Sequence, residues 1–161
     1  MNNKEKIGRA LTRGLLAGYG GETDFTTSIR GNFEVKSSHY EEDGIIYHDE
    51  WTGGGGQEIV KINEKELFTR VYAGGVVNEE ILKELGITKK DVINNLISRI
   101  KELGDKTRLF SDCSVNDISG WNYKYEIIDN NKEIGVTTGK ETITYKNQVV
   151  FVHAFVLSPI N

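Results

Sequence analysis

Two glutamates in the sequence each precede a basic side chain by twelve residues. Glu58 is followed by Arg70, with Tyr72 two positions further on, and Glu141 is followed by His153. A carboxylate held beside a basic group and an aromatic ring can bind a small polar ligand, and a carboxylate can also act in acid–base chemistry. We therefore take Glu58, Arg70, Tyr72, Glu141 and His153 as the candidate ligand-binding residues and assign no residue a catalytic role.

Whether each glutamate meets its basic partner depends on a hairpin turn. If 63–65 and 146–148 are three-residue loops, both pairs face each other across neighbouring strands. Two-residue loops would move the register by one position and place the partners on opposite faces of the sheet. Ion pairs that only satisfy polar groups on half-buried strands explain the same pattern, so a structural role and a ligand-binding role both stay open.

The two segments correspond to each other at a constant offset of 83 positions. Gly56-Gln57-Glu58 matches Gly139-Lys140-Glu141 at this offset, and Gly44 to Tyr47 matches Gly120 to Tyr123 if 129–135 is an insertion in the second copy. A glycine and a glutamate kept in register indicate an internal duplication, for which chance similarity between strands is the competing explanation.

The strands are predicted from segments rich in Val, Ile, Thr, Tyr and Phe. Four strands are expected from Phe33 to Ala73, in two hairpins of which the first turns at Asp43-Gly44. The second region is expected to hold strands at 121–127, 140–145 and 149–157. The glycine run 53–56 lacks the lysine and hydroxyl of a phosphate loop and precedes a strand, so we expect a bend there.

One helix is predicted before the first β-rich region and two between the regions. The N-terminal helix carries apolar residues at helical spacing and is expected to end within 18–21. Asn78 is the expected N-cap of a second helix that stops at Gly86. Thr88 begins a shortened capping box and a third helix with one apolar stripe.

Together these elements predict an α+β fold in a single domain spanning 1–161. The expected architecture is a curved antiparallel sheet from two duplicated β-meander units, with the N-terminal helix and the central helical pair packed on it. Residues 1–76 would form the first helix and β-unit, 77–104 the helical pair, and 105–161 the second β-unit.

The composition is typical of an intracellular globular protein. A chain of 161 residues with 37% hydrophobic residues suits one compact domain, and a net charge of −4 does not favour nucleic acid as a partner. The single cysteine, Cys113, cannot form an internal disulfide, and the N-terminal sequence lacks the long apolar segment of a signal peptide or membrane span. We therefore expect a cytoplasmic location and no membrane partner.

Three parts of the chain carry short motifs that occur together in a known family. They are Ala17 to Gly21, Gly56 to Glu58 with Phe68 to Gly74, and Gly139 to Glu141 with Phe151 to Val156. This pattern resembles the bacterial domain-of-unknown-function family numbered 5680, in which a helix ending in a Tyr-Ala-Gly-Gly-type segment precedes two β-units, each with Gly-x-Glu and an aromatic-containing strand. Phe68 and Arg70-Val71-Tyr72 stand where the family usually has Trp and Met-Asn-Tyr. The resemblance implies the fold and no particular activity.

The leading functional hypothesis is a non-enzymatic module that senses or sequesters a small anionic or aromatic ligand, such as a nucleotide, in a regulatory or phage–host setting. A sheet face covered by helices can leave an apolar cleft with a few polar groups, the usual form of a small-ligand site. No cofactor is expected, and no metal either, because His39 and His48 face each other across the first hairpin without further ligands at recognisable spacing.

Two other functions compete with this hypothesis. Segment 81–97 resembles a helix-turn-helix, which would make the protein a DNA-binding regulator. Its recognition helix would start with Thr88, Lys89, Lys90 and Asn94. An enzyme would instead use Glu58 or Glu141. A homodimer is a further expected assembly, because the apolar strand 149–157 would be an aggregation-prone edge unless it is paired or covered.

Overall fold

The computed structural model describes residues 3–18, 25–104 and 110–160, which hold three helices and nine strands. The helices are α1 (Asn3–Gly18), α2 (Glu79–Leu85) and α3 (Lys89–Leu103). The strands are β1 (Thr26–Arg30), β2 (Phe33–Glu42), β3 (Ile45–Thr52), β4 (Gly55–Ile62), β5 (Lys65–Val76), β6 (Cys113–Asn116), β7 (Trp121–Asn131), β8 (Val136–Tyr145) and β9 (Gln148–Pro159). The α+β fold class is confirmed, and β1 and β6 are strands that the sequence pattern did not indicate.

All nine strands form one open antiparallel sheet in the order β1-β2-β3-β4-β5-β9-β8-β7-β6. The apolar strand 149–157, which would be an aggregation-prone edge unless paired or covered, is paired on both sides, because β9 lies between β5 and β8. The edges are β1, with five residues, and β6, with four. Short edge strands limit pairing with other chains.

The second and third helices begin and end at the predicted capping residues. The side chain of Asn78 accepts a backbone hydrogen bond at 3.1 Å before α2, and Gly86 closes α2 in the left-handed conformation. Thr88 and Asp91 form a reciprocal capping box at the start of α3. Of the segment expected to end α1, residues 19–21 lie outside the described part of the chain.

Helices α1 and α3 cover one face of the sheet. Helix α1 contacts β2, β3 and β4, and helix α3 contacts α1, β5 and β7. Their buried apolar residues, Ile7, Leu11 and Leu15 of α1 and Val92, Leu96 and Ile100 of α3, belong to one core with the inward side chains of the strands. None of the described helices is long and apolar enough to cross a membrane.

The β4–β5 and β8–β9 hairpins turn on two residues each. Asn63 and Glu64 both have positive φ, and so do Lys146 and Asn147 at the equivalent place. Such a pair of left-handed residues matches the twist of the strands that it joins. Of the two loop lengths that the sequence left open, the structure therefore has the two-residue turn in both hairpins.

A β-bulge in each hairpin restores the pairing that the shorter turn would have shifted. Next to the turn, each ladder changes register by one position, with Leu67 on β5 and Val150 on β9 as the extra residues. An extra residue on one strand turns the following side chains to the other face. The glutamates consequently lie opposite their basic partners, as Glu58–Arg70 and Glu141–His153.

The two halves of the sheet repeat the same arrangement. We call β1 to β5 the first half and β6 to β9 the second half. The order β2-β3-β4-β5 continues as β9-β8-β7-β6, so the halves meet where β5 pairs with β9. Tyr72 pairs there with Phe155, the residue 83 positions later in the chain. Read outward from this pair, the order β5-β4-β3-β2 on one side corresponds to β9-β8-β7-β6 on the other.

Candidate functional site

A cavity of about 810 Å³ lies between helices α1 and α3 and the sheet, against the first half and the adjoining strand β9. Leu15 of α1 and Ile93, Leu96 and Ile100 of α3 form its helical side. The sheet side carries glycines of the β3–β4 turn and of β5, together with four aromatic side chains, Phe25, Trp51, Tyr72 and Phe151. A concave site with aromatic walls is the form in which proteins usually bind small molecules.

Five charged or ionisable side chains line this cavity, and their exposure orders them from inside to outside. Asp49 is 2% exposed, and the side chain of His153 is 16% exposed. The side chains of Lys36 and Glu34 are 40% and 62% exposed, and Lys89 is also exposed. The cavity thus has a buried aspartate and an exposed end with both signs of charge, where Glu34 Oε1 lies 4.0 Å from Lys36 Nζ and Lys89 is the second lysine.

Asp49 is oriented at the buried end by Tyr72. The Tyr72 hydroxyl donates to Oδ1 and Oδ2 of Asp49, at 3.1 and 3.2 Å. Gly56 on the strand between them leaves room for this contact, since a Cβ atom there would lie 2.6 Å from the Tyr72 hydroxyl oxygen. Strands β3, β4 and β5 therefore cooperate to place one carboxylate and one phenol.

Behind Tyr72, Glu58 and Arg70 form an ion pair with no solvent exposure. Arg70 Nη1 lies 2.6 Å from Glu58 Oε2, and the Tyr47 hydroxyl donates to Glu58 Oε1 at 2.8 Å. The guanidinium also lies over the rings of Tyr72 and Phe155, at 5.2 and 4.9 Å from their centroids. A buried pair with this many contacts fixes the side chains around it, and neither charged residue is part of the described cavity wall.

The equivalent pair in the second half is looser. His153 Nδ1 lies 3.8 Å from Glu141 Oε2, and the Tyr123 hydroxyl donates to Glu141 Oε1 at 2.6 Å. Glu141 is fully buried and not part of the described cavity wall, whereas His153 lines the cavity. The His153 ring lies 5.1 Å from the Tyr72 ring and 4.4 Å from the Phe151 ring, measured between centroids.

The five candidate residues thus lie on one face of the sheet, at two depths. Tyr72 and His153 reach the cavity, and Glu58, Arg70 and Glu141 lie beneath it. Sequence reasoning missed Asp49, Trp51, Lys36 and Lys89 as cavity residues. A signal for the first two existed, because the predicted Asp43-Gly44 turn fixes β3 and alternation from Tyr47 places Asp49 and Trp51 on the same face.

The features behind the competing hypotheses also have definite positions. The predicted recognition residues Thr88, Lys89, Lys90 and Asn94 are all exposed at the start of α3. His39 pairs with His48 across β2 and β3, with ring centroids 6.0 Å apart. In the described ranges, no three His, Cys, Asp or Glu side chains are grouped as metal ligands would be.

Comparison of the chain with protein-family models, with curated proteins and with solved structures found no match. The resemblance to the family numbered 5680 therefore stays a prediction from short motifs. What the geometry itself defines is a class: an α+β domain with an open antiparallel sheet and a cavity between that sheet and its helices.

Proposed function

We propose that this protein is a non-enzymatic binding module for a small ligand that carries an aromatic ring and a negative charge. The observation that supports this most directly is the cavity, whose volume of about 810 Å³ suits a molecule of nucleotide size. Its wall combines aromatic rings with two lysines, and this combination is what such a ligand requires.

The wall suggests how the ligand would lie. An aromatic ring would pack against Trp51 and Tyr72, since ring pairs add stabilisation beyond their buried area. The anionic group would lie at the exposed end beside Lys36 and Lys89. Lys89 is also the first residue of α3, where the helix dipole favours negative charge.

The two buried glutamates would act as positioning groups in this proposal. Glu58 holds Arg70, whose guanidinium packs against Tyr72, and Glu141 lies beside His153. No described cavity-lining residue is a glutamate from either pair, and this argues against an enzyme based on Glu58 or Glu141.

The proposal extends to the origin of the fold and to its setting. We infer that a four-stranded meander was duplicated and that the resulting sheet curves around α3, a view supported by the matching bulges and two-residue turns. Membership of the family numbered 5680, a cytoplasmic location and a regulatory or phage–host role are proposed with it on the sequence evidence alone.

Intrinsic fluorescence offers a direct test because the chain has two tryptophans on different halves. Trp51 lines the cavity, whereas Trp121 packs on Tyr145, with ring centroids 4.5 Å apart. In a Trp121→Phe background, we expect nucleotides and other anionic aromatic metabolites to change the Trp51 signal on titration. Ligands should also raise the melting temperature, because they bind only the native state.

Matched variants separate binding in the cavity from surface charge. Lys89→Ala should weaken binding at least tenfold, equivalent to about 1.4 kcal/mol. Lys90→Ala, which alters an exposed lysine outside the cavity wall, should leave binding unchanged. Equal losses in both variants, or no response to any anionic aromatic compound, would contradict the proposal.

DNA binding through 81–97 is the competing function, and the exposure of Thr88, Lys90 and Asn94 favours it. Binding to a DNA duplex would weaken steeply with salt, because lysines displace counterions from the phosphates. It would also depend on Lys90, which the ligand proposal does not use. The Lys89 and Lys90 variants therefore discriminate the two functions in a single pair of titrations.

A further inference from the structure

The exposed end of the cavity holds both signs of charge, and this narrows the class of ligand. Glu34 and Lys36 are cavity residues on β2 whose side chains are 62% and 40% exposed, with Glu34 Oε1 4.0 Å from Lys36 Nζ. We propose that the ligand is an aromatic α-amino acid whose ammonium group binds Glu34 and whose carboxylate binds Lys36. This inference rests on the proposed function, since it names the ligand of the same cavity.

A ligand that carries only negative charge fits this end less well. Its anionic group would be attracted by Lys36 but repelled by the Glu34 carboxylate beside it. A nucleotide, whose charges at neutral pH are all negative, meets this repulsion. An α-amino acid carries an ammonium and a carboxylate on one carbon atom, so each group meets a partner of opposite sign. The exposed Glu34–Lys36 pair contributes little to stability by itself and can open to admit them.

Two ring contacts connect this ion pair to the aromatic wall. Lys36 Nζ lies 5.0 Å from the centroid of the Phe25 ring, and the Phe25 and Trp51 rings meet edge to face, with centroids 6.0 Å apart. All three side chains line the cavity. In an aromatic α-amino acid a single methylene separates the charged carbon from the ring. The charged groups therefore bind at Glu34 and Lys36 while the ring packs on Phe25 and Trp51.

The wall beyond these rings suits an aromatic side chain. Four aliphatic side chains of α1 and α3 line it, Leu15, Ile93, Leu96 and Ile100. A ring that packs against them stabilises the complex in proportion to the apolar area that it removes from water. A cavity of about 810 Å³ has room for the largest of these amino acids, so tryptophan should bind more tightly than tyrosine or phenylalanine.

Strand β6, which corresponds to β2 in the strand order of the second half, carries no such ion pair. Its residues are Cys113, Ser114, Val115 and Asn116, and none of them is an acidic or basic residue. We therefore expect one amino acid to bind per chain.

Three indole compounds test the inference by isothermal titration calorimetry of the full chain. Indole-3-propionate lacks the ammonium group of tryptophan, and tryptamine lacks its carboxylate. Tryptophan should bind with a stoichiometry of one and about fivefold tighter than either compound, because each of them loses one exposed ion pair. Equal or tighter binding of indole-3-propionate or tryptamine would overturn the inference.

Glu34→Gln separates an ion pair with the ligand from a structural effect. The variant should weaken tryptophan binding about fivefold and tighten the binding of indole-3-propionate, because one carboxylate attracts the ammonium and repels the anion. A folding defect would weaken both. Glu41→Gln changes an exposed glutamate of the same strand outside the cavity wall and should alter neither affinity. A parallel loss of both compounds in Glu34→Gln would contradict the assignment.

The outcomes also separate this inference from the proposed function. If indole-3-propionate or another anionic aromatic compound binds at least as tightly as tryptophan and depends on Lys89, the binding module stands and the amino-acid assignment falls. If no anionic aromatic compound binds, the amino acids included, both fall together.

Discussion

The two halves of the sheet share strand order, turns and bulges, yet the cavity lies mainly against the first half, and Phe151 and His153 of β9 are the residues of the second half in its wall. Where the first half has Tyr72 and Asp49, the second half has Phe155 and Tyr125, two rings that stack on each other. Strand order therefore does not by itself decide where the cavity lies. The two halves differ in the volume and polarity of their inward side chains and in helix α1, which contacts β2, β3 and β4 of the first half.

The difference in side-chain volume is clear at one glycine in each half, Gly56 on β4 and Gly139 on β8. A Cβ at Gly56 would lie 2.6 Å from the hydroxyl oxygen of Tyr72, and a Cβ at Gly139 would lie 2.3 Å from Cζ of the Phe155 ring. In the first half only the Tyr72 hydroxyl reaches the space beside the glycine. In the second half the Phe155 ring occupies the equivalent space, which leaves no room between the ring and Gly139.

The largest expected effect concerns the buried pair of each half. Arg70→Met leaves Glu58 as a buried carboxylate without its guanidinium, and this should cost about 3–5 kcal/mol of unfolding free energy. The matched change His153→Met should cost only about 1 kcal/mol, because His153 is 3.8 Å from Glu141 and makes no hydrogen bond through Nδ1 to described residues. Urea denaturation measures both.

A double variant checks the cause of this loss. Adding Glu58→Gln to Arg70→Met removes the buried charge and should restore much of the stability, as replacing both members of an ion pair often does. If Arg70→Met and His153→Met lowered the unfolding free energy equally, the two pairs would contribute equally to stability. This result would contradict the difference that we infer from their contacts.

The next effect tests whether the second half is full. Phe155→Tyr adds a hydroxyl at the ring atom nearest Gly139, and overpacking of this kind should cost about 1–3 kcal/mol. The reverse change Tyr72→Phe removes the donor to Asp49 and should cost about 1 kcal/mol. Thermal unfolding should therefore rank Phe155→Tyr as the more damaging, and the opposite ranking would mean that the second half has free space.

The smallest effect concerns the arginines that tie a helix to a turn in each half. Arg13 of α1 binds Glu42 beside the β2–β3 turn, and Arg99 of α3 binds Asp117 beside the β6–β7 turn. Hydrogen bonds from the hydroxyl and backbone N–H of Ser119, followed by the Arg99 guanidinium, lower the pKa of Asp117 to about 2.

Because this pKa is below that of an unfolded aspartate, about 3.9, Asp117 stabilises the fold above that pH. The contribution should fade as the pH falls from about 4 through about 2. Asp117→Asn should therefore lower the urea midpoint near neutral pH and make little difference near pH 2. Asp129→Asn, an exposed change in the same half, is the control; a pH-independent gap between wild type and Asp117→Asn would contradict this assignment.

Much of the fold followed from local patterns in the chain. The Asp43-Gly44 turn, the caps at Asn78 and Thr88, and the helix stop at Gly86 all depend on contacts within a few residues, so the sequence indicates them directly. The sequence left open whether the turns at 63–64 and 146–147 have two or three residues, and with this whether the glutamates face their basic partners. The pairing depends on a bulge in each hairpin that no local pattern indicates.

The sequence predicted only part of the candidate site, because it does not show which side chains are buried beneath the cavity wall. The repeat along the chain grouped five residues, Glu58, Arg70, Tyr72, Glu141 and His153. It does not show how deeply each side chain is buried. Which of them reaches the cavity depends on α1 and α3, which cover the sheet from distant parts of the sequence. Lys89 joins the wall for the same reason, since its helix packs beside β5.

The sequence by itself determined the α+β class, the caps and stop of the two central helices and the match of each glutamate with a basic residue twelve positions later, because these arise from short-range patterning and a repeat. Whether each match is also a contact was left open. The tertiary structure decided that β9 lies inside the sheet, that the Glu58–Arg70 ion pair is buried, and that Asp49 is a buried part of a cavity wall. Those properties depend on which distant strands pair and which helices cover them, and packing of this kind is a property of the whole chain.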